Sequence, residues 1–248
     1  MDNIVLITGA SRGIGAATAV MAAARGYTVC INFLKDEVAA SAVVAGIHQQ
    51  GGRAFAFQAD ISKERQVVEM FSLIDQNVGR ISALVNNAGM IISQQKLVDM
   101  TGERLQQVFA INVFGSFFCA KEAIKRMSVK HGGQGGSIVN VSSLAAKYGS
   151  PFEYIDYAAT KGAIDTMTVG LAKELADDQI RVNAVRPGLI HTDIHASAGE
   201  PGRIERVKTR IPMQRGGYPD EIAAAILWLL SDEASYMTGA LLDVGGGL

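Results

Sequence analysis

The stretch Ile4-Val5-Leu6-Ile7-Thr8-Gly9-Ala10-Ser11-Arg12-Gly13-Ile14-Gly15 decides the fold of this chain. Four consecutive apolar residues predict a short strand buried on both faces, and three glycines follow where that strand turns into an alanine-rich helical stretch. Gly9 permits a tight turn, Gly13 lets a pyrophosphate approach the backbone, and Gly15 allows close packing at a helix N-terminus, whose free N–H groups attract anions. The spacing differs from the common dinucleotide fingerprint, and structural turns also collect glycine, so this motif needs support from the rest of the chain.

Short runs rich in β-branched or aromatic residues alternate along the chain with longer stretches of helical periodicity. This alternation is typical of a parallel sheet covered by helices on both faces. It predicts an α/β fold, a Rossmann-type doubly wound seven-stranded parallel sheet, with residues 1–248 forming a single domain. The predicted strands are Ile4–Thr8, Thr28–Phe33, Ala54–Gln58, Ala83–Asn86, Ser137–Ser142, Arg181–Val185 and Leu241–Val244.

Composition excludes several classes of protein. Hydrophobic residues make up 48% of the 248 residues and charged residues 19%, and the formal net charge is -1, so neither nucleic acid nor an anionic membrane is the expected partner. Cys30 and Cys119 lie in apolar runs and are expected to be buried, reduced thiols. No signal-like leader and no apolar run of about 20 residues is present, so we expect a cytoplasmic protein.

The end of the second predicted strand bears on which nucleotide is bound. The acidic residue that would bind an adenosine ribose is expected there, but the chain carries Asn32. Without that negative charge a 2′-phosphate is tolerated, and Arg12 and Lys35 supply positive charge to it. We therefore expect NADP(H) to be preferred. NAD(H) stays possible, because Asp36 and Glu37 follow at once.

The segment Tyr157-Ala158-Ala159-Thr160-Lys161 places a phenol and an ammonium four residues apart, on one face of a helix. A nearby cation favours the phenolate, so we expect Lys161 to lower the pKa of Tyr157 and fit it for proton transfer. Tyr154 is excluded as the base because Ala158, and not a lysine, lies four residues after it.

With these motifs assembled, the chain resembles the short-chain dehydrogenase/reductase family from its first strand to its last, in particular 3-oxoacyl-thioester reductases and glucose dehydrogenase-like members. The resemblance implies hydride transfer between NADP(H) and a carbonyl or secondary alcohol. It implies that Ser143 bonds the substrate oxygen, Tyr157 acts as general acid/base, Lys161 also holds the nicotinamide ribose, and Asn112 anchors a water. Ser142 stays an alternative to Ser143. The predicted cofactor-binding residues are Gly9, Ser11, Arg12, Gly13, Ile14, Gly15, Asn32, Lys35, Asp60, Ile61, Asn87, Ala88, Gly89, Tyr157, Lys161, Pro187, Gly188, Ile190 and Thr192.

The substrate is expected to meet loops around this centre. Residues 192–217 break the alternation of strands and helices, and we expect them to form a mobile cover over the substrate. Their basic residues favour a solvated face over a nucleic-acid arm, because no aromatic residues are interleaved with them. His191 and His195 share helical spacing, but no third ligand of suitable spacing joins them, so no metal is predicted. The predicted substrate residues are Ser143, Gln94, Ala145, Tyr148, Ile194 and His195.

Two further expectations concern assembly and function class. The resemblance implies a homotetramer, with the helices around Asn112 and Tyr157 packed across one interface. The alternative function is a non-catalytic protein that senses nicotinamide nucleotides by binding them. The intact set of Ser143, Tyr157 and Lys161 argues against that alternative.

Overall fold

The computed structural model describes residues 3–248 and contains one seven-stranded sheet whose strands are all parallel. Its order across the sheet is β3-β2-β1-β4-β5-β6-β7. The predicted fold is confirmed, and the observed strands agree with the predicted ones to within two residues at each end. The strands are β1 (Ile4–Ile7), β2 (Thr28–Phe33), β3 (Arg53–Gln58), β4 (Ala83–Asn86), β5 (Gly136–Val141), β6 (Ile180–Pro187) and β7 (Leu241–Val244).

Helices cover both faces of the sheet, which explains why its strands are apolar on successive residues. In β1, Val5 and Ile7 belong to one hydrophobic core, whereas Ile4 and Leu6 belong to the other. The first core packs under α1, α2 and α10, and the second under α3, α5 and α7. The helices are α1 (Gly13–Ala24), α2 (Glu37–Gln49), α3 (Glu64–Asn77), α4 (Gly102–Phe109), α5 (Gly115–Met127), α6 (Ala145–Tyr148), α7 (Ile155–Glu174), α8 (Ile194–Ser197), α9 (Arg203–Val207) and α10 (Pro219–Leu230).

The order of the strands reverses at β1, which pairs with β2 on one side and with β4 on the other. The connections that leave β1 and β4 therefore run to opposite sides, and a crevice opens at the carboxyl ends of these strands. The glycine-rich turn that begins at Thr8 lies at this point.

Two departures from simple alternation shape the crevice. A single π-helical turn, Ala110–Phe114, joins α4 to α5 and carries Asn112. The expected cover, residues 192–217, contains the short helices α8 and α9, and a bridge between Ile190 and Gly217 closes its base. Within residues 3–248, no helix has the length and apolar character needed to cross a membrane.

Candidate active site

A cleft of about 1280 Å³ opens at the carboxyl ends of the strands. It is lined by the glycine turn, by the ends of β2, β4, β5 and β6, by the start of α7 and by the cover. All of the predicted cofactor-binding residues except Gly15 line it. The same cleft contains Ser143, Tyr157 and Lys161, so the residues predicted to bind the nucleotide and those predicted to transfer the proton share one space.

The glycine turn is held against the end of β4 by close contacts. Gly9 has a φ of +62°, and a Cβ built on it would lie 2.9 Å from the Cα of Ala88. Gly15 is the one predicted cofactor-binding residue that does not line the cleft. A Cβ there would lie 2.5 Å from Nδ2 of Asn87, so Gly15 allows close packing, as the sequence also indicates.

Hydrogen bonds from Thr8 and Asn87 fasten the same turn. The Thr8 hydroxyl accepts from the backbone N–H groups of Asn87 and Ala88, at 3.0 Å each. Nδ2 of Asn87 donates to the carbonyls of Thr8 and Gly9, at 2.9 and 3.1 Å. These bonds link the two strands that border the crevice and fix the backbone against which a pyrophosphate would lie.

Asn32 lines the cleft at the end of β2. It is 2% exposed, its Oδ1 accepts from the N–H of Gly9 at 3.3 Å, and its Nδ2 donates to the carbonyl of Ala59 at 3.1 Å. The amide therefore binds the backbone and holds the glycine turn. A contact between Asn32 and the cofactor stays a prediction.

Both cations and carboxylates line this end of the cleft, namely Arg12, Lys35, Asp36 and Asp60. Arg12 and Lys35 line the cleft, and neither makes an ion pair within residues 3–248. Asp36 caps α2 by accepting from the N–H of Ala39 at 3.0 Å. Of the acidic residues that the sequence offered for the ribose, Asp36 is thus already engaged in helix capping, and Glu37 does not line the cleft.

The part of the cleft that follows β3 contains Asp60 and Ile61, both of which the sequence predicts to contact the cofactor. Oδ1 of Asp60 accepts from the N–H and from the hydroxyl of Ser62, at 2.9 and 2.7 Å. The backbone N–H of Asp60 donates to Oε1 of Gln66 at 2.8 Å. These bonds fix the position and orientation of the Asp60 carboxylate at the edge of the cleft, because its partners lie in the β3–α3 connection and at the start of α3.

Tyr157 and Lys161 lie on one face of α7, but their protonation differs from the sequence-based expectation. Burial raises the pKa of Tyr157 to about 12, and contact with the Ser143 side chain opposes this only in part. Burial also lowers the pKa of Lys161 to about 8, while Asp165 raises it. The expected lowering of the pKa of Tyr157 by Lys161 is wrong in direction, because removal of the phenol from water outweighs the nearby cation.

The amine of Lys161 lies between a backbone carbonyl and the ring of Tyr157. Its Nζ donates to the carbonyl of Val141 at 2.7 Å and lies 5.5 Å from the centroid of the Tyr157 ring. The amine is thus anchored at the end of β5, next to the phenol and within the cleft.

The structure separates the two candidate serines. Ser142 is 2% exposed and its hydroxyl donates to the carbonyl of Lys161 at 3.1 Å, so it fastens β5 to α7. Ser143 faces the cleft beside Tyr157, and its hydroxyl accepts from the N–H of Ala145 at 3.1 Å. The Tyr154 ring is buried under the guanidinium of Arg203, 4.7 Å from its centroid.

Asn112 lies behind the cleft and does not line it. Its side chain is 1% exposed, its Oδ1 accepts from the N–H of Met90 at 2.8 Å, and its Nδ2 donates to the carbonyl of Met90 at 3.0 Å and to the Thr160 hydroxyl at 3.1 Å. The side chain therefore ties the loop after β4 to α7, one turn from Tyr157. π-Helical turns recur at functional sites, where they turn a side chain away from the regular helical direction.

Four of the predicted substrate residues besides Ser143 line the cleft, and one does not. Ala145, Tyr148, Ile194 and His195 lie in its wall. Gln94 is exposed, its amide donates to Oε2 of Glu200, and the structure does not bring it into the wall of the cleft with the others. Burial and the charge of Arg203 lower the pKa of His195 to about 4, so its ring is neutral at neutral pH.

The basic residues of the cover are mostly paired. Arg203 and Arg206 both bind Glu153, on the loop before α7, and Glu200, within the cover. Arg210 lines the cleft and forms no ion pair within residues 3–248. His191 stacks on Tyr218 with ring centroids 5.0 Å apart, and residues 3–248 contain no cluster of three or more side chains suited to a metal.

Several residues that line the cleft were not predicted from the sequence. Met90 and Ile91 directly follow the predicted cofactor-binding residues Asn87, Ala88 and Gly89, and that proximity was a usable signal. Phe152 has a φ of +66° and is 78% exposed at the cleft, and nothing in the sequence marks it. The remaining missed residues include Leu34, Leu144, Val207 and Leu248.

Comparisons with known proteins agree over almost the whole chain. A family model described as Enoyl-(Acyl carrier protein) reductase matches residues 9–248. The uncharacterized oxidoreductase YgfF of Escherichia coli (strain K12) is 57% identical over 244 residues, which cover 98% of this chain and 99% of that protein. The 3-oxoacyl-[acyl-carrier-protein] reductase of Synechocystis sp. is 39% identical over 247 residues, 99% of this chain and 96% of that one. A short-chain type dehydrogenase/reductase from Mycobacterium marinum has a solved structure with a TM-score of 0.93 and 34% identity, covering 99% of this chain and 94% of that one.

Proposed function

Because the chain belongs to the short-chain dehydrogenase/reductase family and is an oxidoreductase of that family, we propose that it transfers hydride between NADP(H) and a carbonyl or secondary alcohol, with Tyr157 as general acid/base. The predicted family and enzyme class are confirmed. One observation carries the proposal: Ser143, Tyr157 and Lys161 line the same cleft as the glycine turn.

The residues of the cleft fit a nicotinamide dinucleotide. Gly9 and Gly13 both have positive φ and present no side chain at the turn, next to the N-terminus of α1, where free N–H groups suit a pyrophosphate. Lys161, anchored by its bond to the carbonyl of Val141, lines the same cleft and would hold a ribose. When bound, the cofactor supplies a hydride donor or acceptor at its nicotinamide ring.

The preference for NADP(H) is supported by charge. Within residues 3–248, Arg12 and Lys35 line the cleft without forming an ion pair, while Asp36, which also lines the cleft, uses Oδ1 to cap α2. A 2′-phosphate would therefore meet two cations, and one of the two oxygens of the Asp36 carboxylate is already engaged. Dissociation constants for both cofactors, measured with wild type and with Arg12→Ala and Lys35→Ala, test this. NADPH should lose about tenfold in affinity in each variant, as for a charged hydrogen bond, while NADH changes little. Tighter binding of NADH than of NADPH by the wild type would overturn it.

The chain's own residues then handle the proton. With its pKa raised to about 12, Tyr157 is protonated at neutral pH and can donate to the alkoxide that develops when a carbonyl is reduced. Ser143 donates a hydrogen bond to the same oxygen, so charge does not build up there without a partner. Oxidation of an alcohol would use these contacts in reverse: Tyr157 must first release its proton to water and then, as the phenolate, accepts the hydroxyl proton of the alcohol.

Tyr157→Phe tests the role of the phenol. The variant keeps the ring and its packing but lacks the hydroxyl, so it should bind cofactor as the wild type does and lose nearly all turnover in a spectrophotometric screen of ketones, aldehydes, sugars and oxoacyl thioesters. Ser143→Ala should lose most of its turnover, and Ser142→Ala much less. Turnover by Tyr157→Phe equal to that of the wild type would refute the proposal.

A cytoplasmic homotetramer completes the proposed picture. Phe114 and Phe117, at 53% and 47% exposure on the π-helical turn and α5, offer apolar surface for a second copy. Sedimentation velocity tests this, and a monomer at micromolar concentration would contradict it. Residues 192–217 are proposed to open and close over the substrate. The sensing protein without turnover has no support from the relatives.

A further inference from the structure

A buried ion pair lies directly behind the proposed catalytic tyrosine. Arg104 on α4 donates from Nε to Oδ2 of Asp156 at 2.7 Å and from Nη2 to Oδ1 at 3.4 Å. The two side chains are 9% and 1% exposed. Asp156 precedes Tyr157, and its Oδ1 also accepts from the Tyr157 backbone N–H at 2.9 Å. The pair therefore holds the residue that carries the phenol through its backbone.

The same guanidinium also fixes the loop that follows β4. Nη1 of Arg104 donates to the carbonyl of Ser93 at 2.7 Å and to Oε1 of Gln95 at 3.1 Å. Met90 and Ile91, at the start of this loop, line the cleft. The Arg104 side chain thus links α4 to the first turn of α7 and to the loop that continues from the wall of the cleft.

Arg104 works in parallel with Asn112. Asn112 joins Met90 to Thr160, three residues after Tyr157, and Arg104 joins Ser93 and Gln95 to Asp156, one residue before it. Tyr157 is therefore held between two polar links to the same loop. A backbone bond from the N–H of Gln95 to the carbonyl of Glu153 also joins this loop to the chain just before α7, but the two side-chain links are the ones that flank Tyr157.

Stability alone is a weak reason for this arrangement. Removing two charges from water costs free energy that their attraction often fails to recover, and apolar replacements of buried pairs are frequently neutral or stabilising. What the planar guanidinium adds is direction, because its donors bind a carboxylate and a carbonyl at fixed angles.

We propose that Arg104 is a positioning residue for the reaction: acting through Asp156 and through the Ser93–Gln95 loop, it sets the distance between the Tyr157 hydroxyl and the substrate wall. This inference rests on the proposed function of Tyr157. A displacement of about 1 Å in a reacting group can cost about 100-fold in rate, so loss of the link should appear in turnover.

The test is the double variant Arg104→Met with Asp156→Asn. It removes both charges together, so no unpaired buried charge is left, and the asparagine keeps an oxygen for the Tyr157 N–H. Arg126→Met with Asp75→Asn is the control remote from the cleft; Arg126 also binds Glu122, which keeps Lys125 as its partner in this variant. The pair of Arg126 and Asp75 joins α5 to α3 with a 2.8 Å contact and lines no part of the cleft. For each protein we would measure kcat, KM, the dissociation constant of NADPH and the melting temperature.

The proposal expects kcat of the Arg104/Asp156 variant to fall roughly 10- to 100-fold, with NADPH binding and melting temperature close to wild type. The control variant should keep kcat within about twofold, as expected for a change remote from the reacting groups. Unchanged kcat in the first variant would overturn the proposal, and so would an equal loss in the control. If the double variant does not fold, Arg104→Lys replaces it. Its single ammonium cannot bind both Asp156 and the loop, so the same fall in kcat is required.

The two proposals fail differently. If Tyr157→Phe turns over normally, the proposed function is wrong whatever the Arg104 variants do. If Tyr157→Phe is inactive and the Arg104/Asp156 variant has normal kcat, the proposed function stands and only the positioning role is refuted.

Discussion

Thr8→Val is the sharpest test of how the crevice is held together. Thr8 is 1% exposed, and valine has nearly its shape but lacks the hydroxyl. The substitution removes the acceptor for the N–H groups of Asn87 and Ala88. Asn87 retains a second acceptor, because its N–H also donates to the carbonyl of Val85 at 3.0 Å. The N–H of Ala88 is then left without its partner.

These contacts set the expected magnitude. A buried donor left unpaired costs about 1–3 kcal/mol, and loss of a shared hydrogen bond about 0.5–1 kcal/mol. Both N–H groups are only partly buried, so we expect the free energy of unfolding to fall by about 2 kcal/mol in total. Affinity for the dinucleotide should also fall, because Ala88 lies against the Gly9 turn.

The assay is urea denaturation at one fixed protein concentration, combined with a fluorescence titration of NADPH. Thr8→Ser keeps the hydroxyl and should retain most of the lost stability. Thr18→Val is the matched control. Thr18 is also fully buried, but its hydroxyl donates to the carbonyl of Ile14 within α1, and no backbone N–H depends on it. A Thr8→Val protein as stable as wild type, or one no weaker than Thr18→Val, would refute the reasoning.

Three further perturbations have defined outcomes. The lowered pKa of Lys161, about 8, means that its positive charge is lost above that pH, so kcat/KM for reduction should fall above about pH 8; a pH–rate profile that stays flat to pH 10 would contradict this. Phe152→Gly should raise the free energy of unfolding by about 1 kcal/mol, because glycine adopts a positive φ without strain. Phe114→Gly, within the helical stretch, should lower it. If both substitutions changed the free energy of unfolding in the same direction, the strain argument would be contradicted. His195 has a folded pKa lowered from 6.5 to about 4, so its unfolded form takes up a proton first as the pH falls, and stability should drop between pH 6.5 and pH 4. His195→Gln removes that proton uptake, and an identical pH dependence of the melting temperature in both proteins would show that His195 does not titrate this way.

The strands could be predicted because each is buried on both faces and must be apolar on successive residues. Thr28–Phe33, Ala83–Asn86 and Leu241–Val244 were predicted with their observed bounds. Glycines at the β1–α1 connection were equally informative, because their backbone conformation excludes most other residues.

Side-chain directions could not be read in the same way. Asn32 was correctly placed at the end of β2, but its amide turns to Gly9 and Ala59, which are remote in sequence. Gln94 closely follows cleft-lining residues in the sequence, but its hydrogen bond to Glu200 holds its side chain outside the cleft. Such choices depend on partners that only the folded chain brings together.

The direction of the pKa shift at Tyr157 shows a different limit of prediction from sequence. A motif reveals that Lys161 is close, but it does not reveal how much water the fold removes from the phenol, and that removal has the larger effect. The pair formed by Arg104 and Asp156 was missed because 51 residues separate two ordinary charged residues.

The π-helical turn at Ala110–Phe114 has one more consequence. Each residue of an α-helix advances the side chains by about 100° around the axis, so a turn that holds an extra residue offsets the rotational phase of everything after it. The continuous helical segment from Gly102 to Met127 therefore has two parts, whose side chains differ in rotational phase about the axis. Its first part directs Arg104 at the start of α7, while its second part presents Cys119 and Ala123 to the core beneath the sheet. Deleting one residue from this turn would bring both parts into one phase, and either the polar link or the core contact would have to be given up.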